Sequence, residues 1–68
     1  MNDDKLGVRL KEARTAASLT QAELAERVGV SRKTINTVEN GVFIPSTLLA
    51  LKLAQALKTK VEALFFLD

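Results

Sequence analysis

Sixty-eight residues, 47% of them hydrophobic and none of them cysteine or histidine, must hold a single small core by packing alone. That composition excludes disulfide staples and ordinary zinc sites, and a net charge of +2 permits an acidic partner without demanding one. No apolar run approaches the roughly 20 residues that span a bilayer, and Met1-Asn2-Asp3-Asp4 is acidic where a signal peptide is basic, so a cytoplasmic chain with no membrane segment is expected.

No repeat, low-complexity tract or linker interrupts the chain, so residues 1–68 read as one domain. Leu and Ala are abundant and three Phe are the only aromatics, a composition that favours packed helices over sheet. Leu6, Leu10, Ala13 and Ala17 recur at helical spacing and predict a first helix over about residues 4–18. Thr20-Gln21-Ala22-Glu23 has the form of a capping box and opens a second helix that stops at Gly29. Ser31 is an N-cap for a third helix running to about Asn40, with Gly41 suited to a left-handed end. Ser46 caps a fourth, so apolar from Thr47 to Leu57 that it is expected to be central and covered on most sides. Val61–Leu67 predicts a short fifth. The expected fold class is all-α, a compact five-helix bundle with short connections.

The segment 21–40 carries the strongest signal. Two short helices can cross steeply if the first is small where they touch, as at Ala25, and if the turn tolerates positive φ, as at Gly29. The second must then anchor itself by apolar residues three apart, as at Ile35 and Val38. On the other side of that second helix, Lys33, Asn36, Thr37 and Asn40 follow i, i+3, i+4, i+7 spacing, with Arg32 beside them. Arg and Lys suit guanine edges, Asn suits adenine, and a Thr methyl can meet a thymine methyl. Arg32 and Lys33 also stand at a helix N-terminus, where the macrodipole disfavours exposed cations by about 0.3–1 kcal/mol each. Stability alone favours a carboxylate there, so the placement points to an anionic partner. The competing reading, an ordinary solvated face, accounts for the polarity but not for its position on the second helix of a complete motif.

Gln21-Ala22-Glu23-Leu24-Ala25, Gly29-Val30-Ser31-Arg32-Lys33-Thr34-Ile35, Val38-Glu39-Asn40-Gly41 and Pro45-Ser46 together resemble the Cro/phage-repressor (xenobiotic-response-element) family of helix-turn-helix regulators. With Leu19-Thr20-Gln21 ahead and Val61-Glu62-Ala63-Leu64-Phe65 behind, the resemblance spans nearly the whole chain. It implies a lambda-repressor-like DNA-binding domain whose helix from Ser31 enters the major groove of double-stranded DNA. Arg32, Lys33 and Thr37 match base-contacting positions, Ser31 and Asn36 lie close enough to assist, and Gln21 and Asn40 match phosphate-contacting positions. Arg14 and Glu39 match a pair that ties helix 1 to helix 3. Three departures stand out: Val42-Phe43-Ile44 replaces a polar or basic loop, Ala17-Ser18 replaces a basic residue and Gly, and Lys58 stands where Gly is frequent.

A bundle this small cannot bury all of Phe43, Ile44, Phe65, Phe66 and Leu67. A homodimer through Phe65, Phe66, Leu67 and the end of helix 4 is therefore expected, acting as a repressor on a pseudo-palindromic operator. Two alternatives are an antitoxin-like protein-interaction module and the DNA-binding domain of a larger ligand-sensing regulator. Catalysis, metal and cofactor are not expected, since His, Cys, Tyr and a glycine-rich phosphate loop are all missing.

Overall fold

The structure, a computed structural model, describes residues 5–68. Its order is β1 (Leu6–Val8), α1 (Leu10–Ala16), α2 (Gln21–Val28), α3 (Arg32–Glu39), α4 (Thr47–Ala56), α5 (Val61–Leu64) and β2 (Phe65–Leu67). The helical bundle stands as expected. What the helical spacing did not anticipate is a small antiparallel sheet in which Leu6 faces Leu67, Gly7 faces Phe66 and Val8 faces Phe65. The expected start of helix 1 at Asp4 lies outside the described residues, but Leu6 belongs to the strand and the helix begins at Leu10. Helix 5 likewise ends at Leu64 instead of Leu67. A single helical turn has few internal bonds to defend it, and consecutive aromatics prefer extended backbone. The Arg9 N–H donates to the Leu64 carbonyl at 2.8 Å, closing the sheet onto the bundle.

The helix starts follow from local chemistry. The Thr20 hydroxyl accepts from the Glu23 N–H at 3.0 Å while the Glu23 carboxylate accepts from the Thr20 N–H at 2.8 Å. Ser31 and Ser46 cap α3 and α4 by accepting from the N–H groups of Thr34 and Leu49. The ends share one device: α1 to α4 each close with paired 6→1 and 5→2 bonds around a left-handed residue. Gly29 and Gly41 supply it at φ of 76° and 73°, but Ser18 and Lys58 adopt it at 59° and 54° with a side chain attached.

Leu10, Leu24, Ile35, Val38, Leu53 and Leu64 are fully buried and form the centre of the core, with Phe65 and Ala25 packed beside them. The expectation that α4 is covered on most sides is corrected. Only Leu49, Leu53 and Ala54 of that helix are buried, whereas Leu48 and Leu51 are 63% and 55% exposed. The chain has too few elements to wrap a helix apolar over most of its circumference, so its outer side stays open. Phe65 is packed in the core and also lines an apolar groove with Leu6, Leu51 and Val61. Phe66 is half-buried beneath the Arg9 guanidinium, which lies 4.4 Å from the ring centroid. Leu67 alone of the three is open to solvent, and Ala56 and Leu57 at the end of α4 are half-buried.

Candidate nucleic-acid interface

α3 is fixed from its inner side. Ile35 and Val38 have no exposed surface and share the core with Ala25 of α2, a small residue suited to a close approach of the two helices. The turn between the helices needs only Gly29 in the left-handed region, Val30 against the core, and Ser31 in extended backbone as the cap. Such packing leaves α3 little freedom to roll, so its outer residues have defined directions.

Arg32 and Lys33 are exposed at the first turn, which contains no acidic residue. Asn40 is exposed at the far end, and its side-chain N–H donates to Asn36 Oδ1 at 3.3 Å. Asn36 and Thr37 are half-buried between them. The Thr37 hydroxyl donates back to the Thr34 carbonyl at 3.0 Å. Ser31 is exposed, but its hydroxyl is engaged in the helix cap and lies 2.9 Å from the Thr34 hydroxyl.

Gln21 is the first residue of α2, where the N–H groups of Gln21 and Ala22 precede the one that Thr20 caps. Its side chain is not free, however. The Gln21 amide nitrogen donates to Glu39 Oε1 at 3.0 Å, and Arg32 Nη1 donates to Gln21 Oε1 at 3.3 Å. The starts of α2 and α3 therefore lie on one side of the molecule. Glu39 is paired in turn with Arg14, which bonds both carboxylate oxygens and the Leu19 carbonyl. Both side chains of this pair are buried, with 10% and 3% of their surface exposed. The hydrogen bond to Glu39 outweighs burial and raises the Arg14 pKa, so the guanidinium stays charged.

A helix-turn-helix family model matches residues 10–64. The chain belongs to the helix-turn-helix family. A helix-turn-helix-type transcriptional regulator of Archaeoglobus fulgidus is 47% identical over 60 residues, covering 88% of this chain and 84% of the relative. The regulator YgzD of Bacillus subtilis is 42% identical over 60 residues, covering 88% and 91%. Among solved structures, the restriction-modification controller protein C.AhdI of Aeromonas hydrophila superposes with a TM-score of 0.76 at 41% identity, over 79% of this chain and 82% of that one. The family is one of DNA-binding transcriptional regulators of the Cro and phage-repressor type.

Against that helix-turn-helix frame, every residue singled out on α3 lies on the outer side or its flank. Gln21 reaches the same side from α2. The bond between Gln21 and Glu39 and that between Arg32 and Gln21 have no mark in the sequence. Each joins residues of different helices, so no periodicity within one element marks it. The Arg14–Glu39 pair was found through resemblance alone. No helix among the described residues is long and apolar enough to cross a membrane.

Proposed function

We propose that this chain is a sequence-specific binder of double-stranded DNA, one domain acting as a dimeric repressor on a pseudo-palindromic operator, with α3 in the major groove. The observation that carries the reading is the combination of a rigidly backed α3 with two cations at its exposed, acid-free first turn. A duplex resolves the mismatch between those cations and the helix dipole, because it brings negative charge to that end. Arg32 and Lys33 are the candidate base readers, with Asn36 and the Thr37 methyl beside them. Gln21 and Asn40 flank them as candidate phosphate contacts, Gln21 through the N–H groups at the start of α2. Ser31 assists by fixing the start of α3. A bound dimer of this kind represses by excluding other proteins from its operator.

The dimer reading is supported by the apolar surface the bundle leaves open. Ile44, Leu51 and Leu67 are 71%, 55% and 76% exposed. A groove lined by Leu6, Ile44, Pro45, Ala50, Leu51 and Val61 runs along the same side of the molecule. A second copy seated there shields the side of α4 that one chain cannot cover, and a two-fold arrangement sets two α3 helices about 34 Å apart.

Selection from a random duplex pool tests the reading. Enrichment of a motif made of two inverted half-sites one helical turn apart is expected; failure to enrich any motif overturns it. Sedimentation at micromolar concentration tests the dimer separately, and a monomer there contradicts that part. Protection of Val42–Ile44 by a protein partner, with residues 31–40 left exchanging in the presence of DNA, identifies an interaction module instead.

A further inference from the structure

Leu48 and Leu51 are both open to solvent on α4, but they border different hollows. Leu51 lines the groove assigned above to a second copy of the chain. Leu48 lines another, between the α2–α3 turn and the start of α4, with Val28, Val30, Phe43 and Leu49 as its apolar walls. Leu48 and Phe43 are 63% and 48% exposed, and neither belongs to the groove of the proposed dimer.

This hollow continues along α4. Val28 and Lys52 also line a second depression with Arg27, Gln55 and Ala56, so the two run on as one groove. From Ser46 to Ala56 it follows the helix for about 15 Å, room for roughly ten residues of a docked helix. Its two ends differ: one is apolar around Phe43 and Leu48, the other carries Arg27 and Lys52, and no carboxylate lines it. Both cations are exposed and make no ion pair among the described residues. Glu23, one turn before Arg27, is engaged by the Thr20 cap.

We propose that this groove docks an acidic amphipathic segment of another protein, with apolar side chains seated on Val28, Phe43 and Leu48 and carboxylates meeting Arg27 and Lys52. The apolar walls supply affinity, because covering them removes hydrocarbon from water. The cations choose the sign of the partner: carboxylates offset two unpaired like charges, whereas a basic segment adds to their repulsion. A nucleic acid matches the charges but sets phosphates against Leu48 and Phe43, so a polypeptide is the better fit. The groove starts at Gly29, Val30 and Thr34, beside α3, yet Arg32, Lys33, Asn36 and Asn40 do not line it. An occupant is thus held next to α3 without covering its outer face. The inference depends neither on the DNA reading nor on the dimer.

A displayed library of random short peptides is selected on the full chain, with a Leu48→Gln, Lys52→Glu double variant as counter-target. Both positions are exposed and both replacements are good helix formers, so the counter-target keeps its core and its α4. Peptides that combine Leu, Ile or Phe with Asp or Glu are expected to be enriched.

Synthetic versions of those peptides are then titrated against single variants. Leu48→Gln is expected to weaken binding roughly tenfold through the lost apolar contact. Lys52→Glu is expected to weaken it by roughly three- to tenfold, and Lys in place of the acidic residues of the peptide to abolish it. Leu51→Gln in the other groove and Lys33→Ala on α3 should leave the affinity unchanged. Three results overturn the inference: no peptide that separates the protein from the counter-target, enriched peptides without carboxylates, or a loss with Leu51→Gln or Lys33→Ala as large as that with Leu48→Gln.

Discussion

The ring of Phe66 occupies the space that a side chain on Gly7 would need. The two residues are register partners across the sheet, and a Cβ built on Gly7 lies 2.2 Å from Phe66 Cε2 and Cζ. Gly7→Ala must therefore displace the ring and with it the stacked Arg9 guanidinium. A loss of about 1–3 kcal/mol in chemical denaturation is expected, typical of overpacking. In a Phe66→Ala background the same substitution should be nearly neutral. An equal loss in both backgrounds would assign the glycine some other role.

Arg14 and Glu39 present a second cycle. Removal of one member leaves a buried charge without its partner, so Glu39→Ala should cost about 3–5 kcal/mol. For a chain of this size that is a large part of the whole stability. Arg14→Met combined with Glu39→Leu should lose markedly less, because neither charge then remains buried. Urea denaturation of the two single variants and the double variant distinguishes this from simple additivity.

Ser18 and Lys58 complete their helix ends in the left-handed region, which costs an L residue roughly 1–2 kcal/mol. Glycine relieves that strain but loses about 0.5–1 kcal/mol through its more flexible unfolded chain. Ser18→Gly and Lys58→Gly are each expected to stabilise by about 0.5–1 kcal/mol, read as a rise in Tm. A fall in Tm for both would mean that the side chains make contacts which outweigh the strain.

Glu23 links the α2 cap to pH. The Thr20 N–H and hydroxyl bond its carboxylate and hold its pKa below the ordinary 4.5. A group with a depressed pKa in the folded state stabilises above its unfolded pKa and loses that contribution as pH falls through the folded value. The Tm difference between the protein and Glu23→Gln should thus be present at neutral pH and shrink as pH drops below 4.5. A difference that grows on acidification would contradict the cap.

The sequence was most legible where cause and effect lie within a few residues. The Thr20–Glu23 box, the Ser31 and Ser46 caps, and Gly29 and Gly41 all act over a single turn, and each mark was readable in place. The sheet was not, because its partners Val8 and Phe65 come from opposite ends of the chain, with all five helices between them. Leu6 continues the apolar spacing of α1, so periodicity alone absorbed it into that helix. The exposure of Leu48 and Leu51 escaped for a related reason: apolar content predicts that a surface will be covered, not by which chain. At the candidate site the residue types and their common face were legible, whereas the bonds that link Arg14, Glu39, Gln21 and Arg32 span three helices and have no linear signature.

If the outer face of α3 reads bases, Lys33→Ala must weaken binding in a sequence-dependent way. Lys33 is exposed, makes no ion pair among the described residues, and can be truncated without touching the core. Affinity for the selected duplex and for random duplex is measured at one fixed salt concentration. A loss of about 1–3 kcal/mol is expected on the selected duplex, with a much smaller loss on random DNA. Equal losses on both would reduce Lys33 to a phosphate contact, and no loss on either would contradict the assignment of α3 as the reading helix.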